Sequence, residues 1–181
     1  MMENDDIRLW SKNYFLKFSD FKASSNPSAF EDSSSHIKFH FTWTVNSTMH
    51  NDKICFEIDD IKINTQFLRH LSWVREGQES KELLKHEQGH FDLAELTRFT
   101  ITEKIQNKLY NKNFPTRGKN EEQQKQFARE DSGILIAKEL ETSFLDFSHN
   151  RVKYDEETDF GHNKIKQKEF DDKFNEFREQ K

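Results

Sequence analysis

The chain has 181 residues, of which 33% are hydrophobic and 34% charged, and 18 of them are Phe. This length fits one domain, and the aromatic content excludes a disordered chain. The 33 acidic and 28 basic residues are mixed along the chain, with a net charge of -5. The sequence contains no block of basic residues that could follow a phosphate backbone, so we expect no nucleic-acid partner. The single Cys55 can form neither an internal disulfide nor a thiolate cluster, so a bound metal would need nitrogen and oxygen ligands.

The first six residues lack the basic start and the apolar run of a secretory signal. No later stretch is apolar enough to span a bilayer. We therefore expect a soluble protein without a membrane span. It would be cytoplasmic if the printed start is native, and exported if a signal segment was removed before it.

Two strands are predicted, mainly within residues 36–63. The first alternates strictly from residue 36 to 45, as a half-buried strand does. Its apolar side carries Ile37, Phe39, Phe41, Trp43 and Val45. The second changes phase at Asp59-Asp60, as a bulge or tight turn requires. We expect these strands to form an antiparallel pair, with Cys55 as a small buried residue.

Three helices are predicted after the strands, at about 79–109, 120–147 and 164–179. The first has an apolar stripe at Leu83, Glu87, His90, Ala94, Ile101 and Ile105, opposite a polar face at Lys85, Gln88, Asp92, Glu95 and Glu103. The second places Phe127, Ile134, Ala137, Phe144 and Leu145 on its apolar side, and the third Ile165, Phe170, Phe174 and Phe177. Strands followed by helices predict an α+β fold, with a small antiparallel sheet packed on a long helix and two further helices, in a single domain over 1–181.

The chemically informative motif is His86-Glu87-Gln88-Gly89-His90, an HExxH pattern. Two imidazoles four residues apart on a helix lie within roughly 40° of each other and about 6 Å apart along the axis, so both can reach one Zn²⁺ ion. Glu87 lies beside them, where a carboxylate can act as the general base for a zinc-bound water. Gly89 costs helix stability, which suggests that another backbone passes close to it.

The three ionisable residues of the motif lie on the apolar stripe of the predicted helix. Burying unpaired polar groups is costly, and metal binding explains why they are there. The alternative is a pair of buried histidines that are hydrogen-bonded and purely structural. The metal-binding interpretation is the one that also gives Glu87 a role.

The motif extends to Leu83-Leu84-Lys85-His86-Glu87-Gln88-Gly89-His90-Phe91-Asp92. In this form it resembles a family of uncharacterised bacterial proteins, many of them exported, that are predicted to be zinc-dependent proteases and are marked by HEQGHFD. The likeness also includes Trp10, Asp20-Phe21-Lys22, Ser72-Trp73, Tyr154-Asp155-Glu156-Glu157-Thr158, Gly161 and Gln167. The resemblance implies a zincin-like site. We expect a zincin-like fold around it and a peptide or protein as substrate.

The sequence departs from that family at one position. The family's downstream motif runs Tyr-Asp-x-x-Thr-x-His-Gly, and alignment on Gly161 puts Phe160 where the His belongs. Phe cannot bind zinc. His162 stands two positions further on and can take its place after a local shift, whereas loss of the His also fits a member without activity.

A catalytic zinc site needs a third protein ligand. The long metzincin pattern would require His at position 96, which is Leu96, and Glu95 points roughly 140° away from the histidines on the helix. His162 is the first candidate, because it follows a glycine in the segment where the resemblance implies a ligand. The neighbouring carboxylates Asp155 and Glu157 are the alternatives, and the absence of a third ligand is the remaining one.

Three functions follow from these patterns. The first is a zinc metallopeptidase with His86, His90 and His162 as ligands and Glu87 as catalytic base. The second is a non-catalytic binding or inhibitory domain on a zincin scaffold, which Phe160 favours. The third is a helical interaction module in which the charged helix from about Asn120 docks on a partner. The sequence does not set the oligomeric state.

Overall fold

The computed structural model describes residues 5–180. It has the α+β architecture expected from the sequence, with a small antiparallel sheet and three helices. The strands are β1 (Ile7–Leu9), β2 (Ser33–Ser34), β3 (Ile37–His50), β4 (Lys53–Leu68), β5 (Trp73–Val74) and β6 (Phe114–Pro115). The helices are α1 (Lys81–Leu109), α2 (Glu121–Thr158) and α3 (Lys164–Glu179). The zincin-like character of the fold stays a prediction.

Strands β3 and β4 form the long hairpin of the main sheet. Asn51 and Asp52 connect them, both with positive φ, 51° and 59°. A two-residue connection of this kind joins antiparallel strands. Burial alternates along the first half of β3, as predicted. Strand β4 continues through Asp59 and Asp60, where a φ of 49° at Asp60 and a change of burial phase mark a bulge rather than a chain reversal.

The remaining strands are short and pair with longer neighbours. Strand β1 runs antiparallel to the end of β4, with Ile7 opposite Leu68. Strand β6 pairs with the beginning of β4, where Cys55 lies opposite Pro115, and this cysteine is buried as expected. Strands β2 and β5 form a separate two-stranded sheet. This small sheet was not predicted.

Helices α1 and α3 agree with the predicted bounds, but α2 does not. The sequence predicted that the second helix would end near residue 147, whereas α2 continues to Thr158. Its predicted apolar face was also wrong, because Ile134, Ala137 and Leu145 are exposed. The residues that α2 buries are Ala128, Ser132, Ile136, Leu140, Ser143, Phe147, Tyr154 and Thr158.

The chain divides into two compact units. Unit 1 comprises residues 1–40, 64–98 and 147–181, and unit 2 comprises residues 41–63 and 99–146. The boundaries fall within β3, β4, α1 and α2. The prediction of a single domain therefore stays a prediction. Among residues 5–180, no helix combines the length and the apolar character needed to cross a membrane.

Each unit has its own aromatic core. In unit 1, the ring of Phe67 packs edge-on against Phe21 and lies 5.7 Å from that of Phe91. In unit 2, Phe56 stacks on Phe114 at 5.3 Å, and Trp43 donates a hydrogen bond to Ser132. These contacts account for the high Phe content of a chain with few aliphatic residues.

Part of α1 is buried on all sides, which the sequence did not predict. Gln88, Asp92 and Glu95 were assigned to the wet face, yet all three are buried. Each has partners, as buried polar groups require. Gln88 accepts a hydrogen bond from the Leu16 backbone at 2.7 Å, and Glu95 accepts one from Thr65 at 2.6 Å. The N-terminal segment and the end of β4 thus cover the face that was expected to meet solvent.

Candidate metal centre

His86 and His90 lie one turn apart on α1, and both are buried. Their ring centroids are 4.8 Å apart. The Nε2 atoms of both rings face Oδ1 of Asp155, at 3.1 Å from His86 and 2.9 Å from His90. The ligand atoms of these three residues all lie within 4.8 Å of one another. Ligand atoms of a tetrahedral zinc site are about 3.3 Å apart, and the two distances from the histidines to Asp155 are close to this value.

The C-terminal extension of α2 brings Asp155 to the histidines. Because the helix continues past residue 147, Asp155 is held on a regular helix rather than in a loop. Burial opposes the ionised form of this carboxyl, but hydrogen bonds with His86 and His90 outweigh burial and lower its pKa below the ordinary value. Asp155 is therefore a carboxylate, which is the form of this side chain that can bind a metal.

Gln167 fixes the orientation of the His86 ring from the other side. Its Oε1 lies 3.1 Å from Nδ1 of His86. Its Nε2 donates to the hydroxyl of Tyr154 at 2.8 Å and to Oδ1 of Asp171 at 2.9 Å. Since a carboxylate can only accept, the amide nitrogen must face Asp171 and the amide oxygen must face His86.

This arrangement restricts the protons on His86. If Nε2 donated a proton to Asp155 in a neutral ring, Nδ1 would be a bare acceptor facing the oxygen of Gln167, which cannot donate. A metal on Nε2 removes the conflict, because the ring proton then sits on Nδ1 and donates to Gln167. A doubly protonated ring also removes it. A bound metal and a second ring proton both place positive charge beside the Asp155 carboxylate.

His90 differs from His86 in its surroundings. Burial lowers its pKa, while the hydrogen bond with Asp155 raises it by less. The ring is therefore neutral near neutral pH, which is the form that binds a metal. Among residues 5–180, no group forms a hydrogen bond with its Nδ1. Only one of the two histidines thus has an orienting partner on its second nitrogen.

Two serines hold Glu87 in place. Ser33 donates a hydrogen bond to Oε1 at 2.5 Å, and Ser35 donates one to Oε2. All three side chains are buried. The sequence analysis did not identify Ser33 or Ser35 as part of the site. The available signal was their spacing, because residues two apart in an extended segment face the same side.

Tyr154 packs on the HExxH segment through Gly89. A Cβ at Gly89 would lie 2.0 Å from the Tyr154 hydroxyl oxygen, so the close neighbour is this side chain and not the backbone that was expected. The hydroxyl donates to the His86 carbonyl at 3.1 Å. Burial raises the pKa of Tyr154 far above its ordinary value, so it remains a donor. Tyr154 is thus a buried core residue beside the histidines.

Residues of the downstream motif surround His86. The hydroxyl oxygen of Thr158 lies 3.4 Å from Nδ1 of His86. At Gly161, where φ is 86°, a Cβ would lie 3.0 Å from the Cβ of His86. Like Tyr154, Asp155 and Gln167, both residues are among those on which the family resemblance was stated. The downstream motif and the HExxH motif therefore form one packed cluster.

His162 is not brought into the group of three. Its side chain is exposed, although it lines the same cavity as His86 and His90. Glu157, the other carboxylate considered, faces Lys153 at 3.6 Å. Phe160, at the position where the family has His, is also exposed on the cavity wall. Of the candidates for the third ligand, only Asp155 meets both histidines.

The group opens into a cavity of about 560 Å³, called here the histidine cavity. It lies within unit 1. Its lining includes His86, Glu87, His90, Asp155, Arg151, His36, Phe30, Trp73, Leu83, Phe160 and His162. The cavity joins the candidate ligands and Glu87 to a space large enough for a short stretch of peptide.

Comparisons of this chain with protein-family models, with curated proteins and with solved structures find no match. The family resemblance therefore stays a prediction that rests on its motifs.

Proposed function

We propose that this protein is a zinc-dependent hydrolase of the metallopeptidase type, with a zincin-like site. His86, His90 and Asp155 hold the ion, and Glu87 is the general base. The observation that carries the proposal is the convergence of both Nε2 atoms on the Asp155 carboxylate. In addition, the side-chain oxygen of Gln167 accepts a hydrogen bond only if Nδ1 of His86 carries a proton. Two histidines and one carboxylate form a ligand set found in zinc peptidases.

Zinc, when bound, supplies a Lewis acid that polarises a carbonyl and lowers the pKa of water. The chain supplies the remaining functions. Asp155 and the histidines fix the position of the ion, and Gln167 orients His86. Glu87 accepts a proton from the water molecule that attacks the peptide carbonyl and delivers it to the leaving nitrogen. Each Glu87 oxygen can accept two hydrogen bonds, so the bonds from Ser33 and Ser35 leave an acceptor position on each.

The first prediction concerns metal content. Protein purified without chelators or metal-affinity tags should contain about one zinc per chain, measured by elemental analysis. His90→Ala and Asp155→Asn should each abolish this content, because two ligands rarely hold zinc in competition with water. His162→Ala is the matched control and should retain it. Circular dichroism would show whether each variant is folded.

Other results would redirect the assignment. Loss of zinc in His162→Ala with retention in Asp155→Asn would restore His162 as the third ligand. Iron in place of zinc would contradict the hydrolase proposal, since two histidines and a carboxylate also bind iron in oxygenases. Absence of any metal, with none taken up at micromolar concentration, would leave the histidines as structural residues.

The second prediction separates binding from catalysis. Glu87→Gln keeps the shape of the side chain but removes its basic carboxylate, so zinc should remain while peptide hydrolysis falls roughly a hundredfold to ten-thousandfold. Mass spectrometry of a mixed-peptide library would measure cleavage by wild type, by Glu87→Gln and by chelator-treated protein. Equal cleavage by all three would indicate a contaminating protease and contradict the assignment.

Phe160 favours a second candidate function, a non-catalytic binding or inhibitory domain on the same scaffold. It places an exposed aromatic ring on the cavity wall where the resembled family has His. If zinc-loaded wild type cleaves no member of a broad library, this second function replaces the first. The metal site would then serve structure or ligand binding.

A further inference from the structure

Arg151 stands out among the charged residues of the histidine cavity. It lies on α2, one helical turn before Asp155, and is half-buried in the cavity lining. Within residues 5–180, no carboxylate forms an ion pair with it. His36 and His90 line the same cavity as Arg151.

The other arginines of unit 1 all have acidic partners. Arg8 and Arg69 contact Asp20, at 3.3 and 3.0 Å. Three further ion pairs join Arg75 to Asp32, Arg98 to Glu95 and Arg178 to Asp92. A half-buried guanidinium without a carboxylate is therefore an exception in this unit. Because Arg binds carboxylates through two parallel hydrogen bonds, Arg151 offers a complete anion-binding group to whatever enters the cavity.

The position of Arg151 relative to Asp155 determines how far a carboxylate bound by Arg151 would lie from the candidate metal ligands. Residues four apart on a helix lie on the same face and about 6 Å apart along the axis. An extended peptide spans roughly 3.3–3.6 Å per residue. A carboxylate held by Arg151 would therefore lie one or two residues from a peptide bond placed at the ligand group. Phe30, Leu83 and Phe160 line the cavity and give it apolar walls.

We propose that Arg151 is the specificity-determining residue of this site and binds a carboxylate of the substrate one or two residues beyond the bond that is cut. This proposal rests on the proposed function. The substrate class is then a peptide whose own carboxylate completes the ion pair that Arg151 lacks. That carboxylate is either the free C-terminus, which makes the enzyme a carboxypeptidase, or an acidic side chain near the cut.

Binding to zinc-loaded Glu87→Gln protein tests the proposal, because this variant holds peptides without cutting them. The probes are acetyl-Gly-Ala-Phe with a free C-terminus, the same peptide as its C-terminal amide, and acetyl-Gly-Ala-Glu amide, whose only carboxylate is its side chain. Calorimetry would measure each dissociation constant. The free acid, or the Glu amide, should bind roughly ten- to a hundredfold more tightly than the Phe amide, because only the Phe amide lacks a carboxylate for Arg151.

The arginine itself is tested by Arg151→Gln in the same background. This change should weaken the carboxylate probes to the level of the Phe amide and leave zinc content unchanged. Lys153→Gln is the matched control, since it removes an equal charge from an exposed position of the same helix, and it should alter no dissociation constant. Preference for the free acid identifies the C-terminus as the source of the carboxylate, and preference for the Glu amide identifies a side chain.

Equal binding of all three probes, or an equal loss in Arg151→Gln and Lys153→Gln, would overturn the proposal. A failure of the proposed function looks different. It appears in the wild type as absence of zinc or of cleavage. A carboxylate preference that persists in Arg151→Gln would instead show that the probe carboxylate binds the metal and not Arg151, and this outcome would overturn the proposal.

Discussion

At the scale of single residues, Gln167 determines which nitrogen of the His86 ring carries a proton. Its amide is fixed by the Asp171 carboxylate and the Tyr154 hydroxyl, so its oxygen can only accept from His86. A ring that donates on Nδ1 carries either a metal or a second proton on Nε2, and the metal-bound form is the one that we propose. His90 lacks such a partner, and its neutral state comes from burial instead. The two histidines thus differ in what fixes their protonation.

The pH dependence of zinc retention follows from His90. Burial lowers its pKa below the ordinary value of 6.5, so more than half of the folded rings are neutral at pH 6.5, where an exposed histidine is half protonated. Asp155 also remains ionised there, because its pKa is lowered as well. Protons should therefore begin to displace zinc only below about pH 6.5. Zinc content after dialysis between about pH 8 and pH 4 would measure this.

The metal-free protein should respond in the same direction. Below pH 6.5 the unfolded chain binds a proton at His90, while the folded chain binds one only at lower pH. The free energy of unfolding therefore falls as the pH decreases through this window.

For the zinc-loaded protein, zinc release that is complete above about pH 7 would contradict the assignment of the buried His90 as a ligand.

At the scale of secondary-structure elements, periodicity located α1 and α3 but not the end of α2. Residues 148–158 are mostly polar and include His149 and Asn150, so they carry almost no apolar repeat. The helix continues because Tyr154 and Thr158 are buried against His86 and Gly89. Tertiary packing supplies what local propensity lacks. Without that packing, the sequence could name Asp155 as a possible ligand but could not place it.

The buried polar residues of α1 show the same limit. Hydrophobicity predicted Gln88 and Asp92 at the surface, but Asp92 receives hydrogen bonds from Trp10 and Arg178. These partners are more than 80 residues away along the chain. No local pattern reports on such partners. By contrast, the i, i+4 spacing of His86 and His90 is local, and it correctly predicted two adjacent buried rings.

At the scale of the whole molecule, the candidate site belongs to one of the two compact units. Ser33, Glu87, Asp155 and Gln167 come from distant parts of the sequence, yet all lie in unit 1. The proposed metal would link His90 of α1 to Asp155 of α2, which are about 65 residues apart in the chain. Such a link stabilises the folded state by closing a long loop, as other cross-links do.

The last prediction is that zinc protects unit 1 from hydrogen exchange. Because only the folded state presents all three ligands, zinc at a hundred times its dissociation constant should stabilise that state by about 2.7 kcal/mol, which slows exchange through unfolding roughly a hundredfold. Amides of segments 81–98 and 147–158 should show this slowing on addition of zinc to metal-free protein, as followed by mass spectrometry. Asp155→Asn serves as the control and should show none. Equal slowing in that variant would mean that zinc binds elsewhere, and no slowing in the wild type would remove the metal from the account of this site.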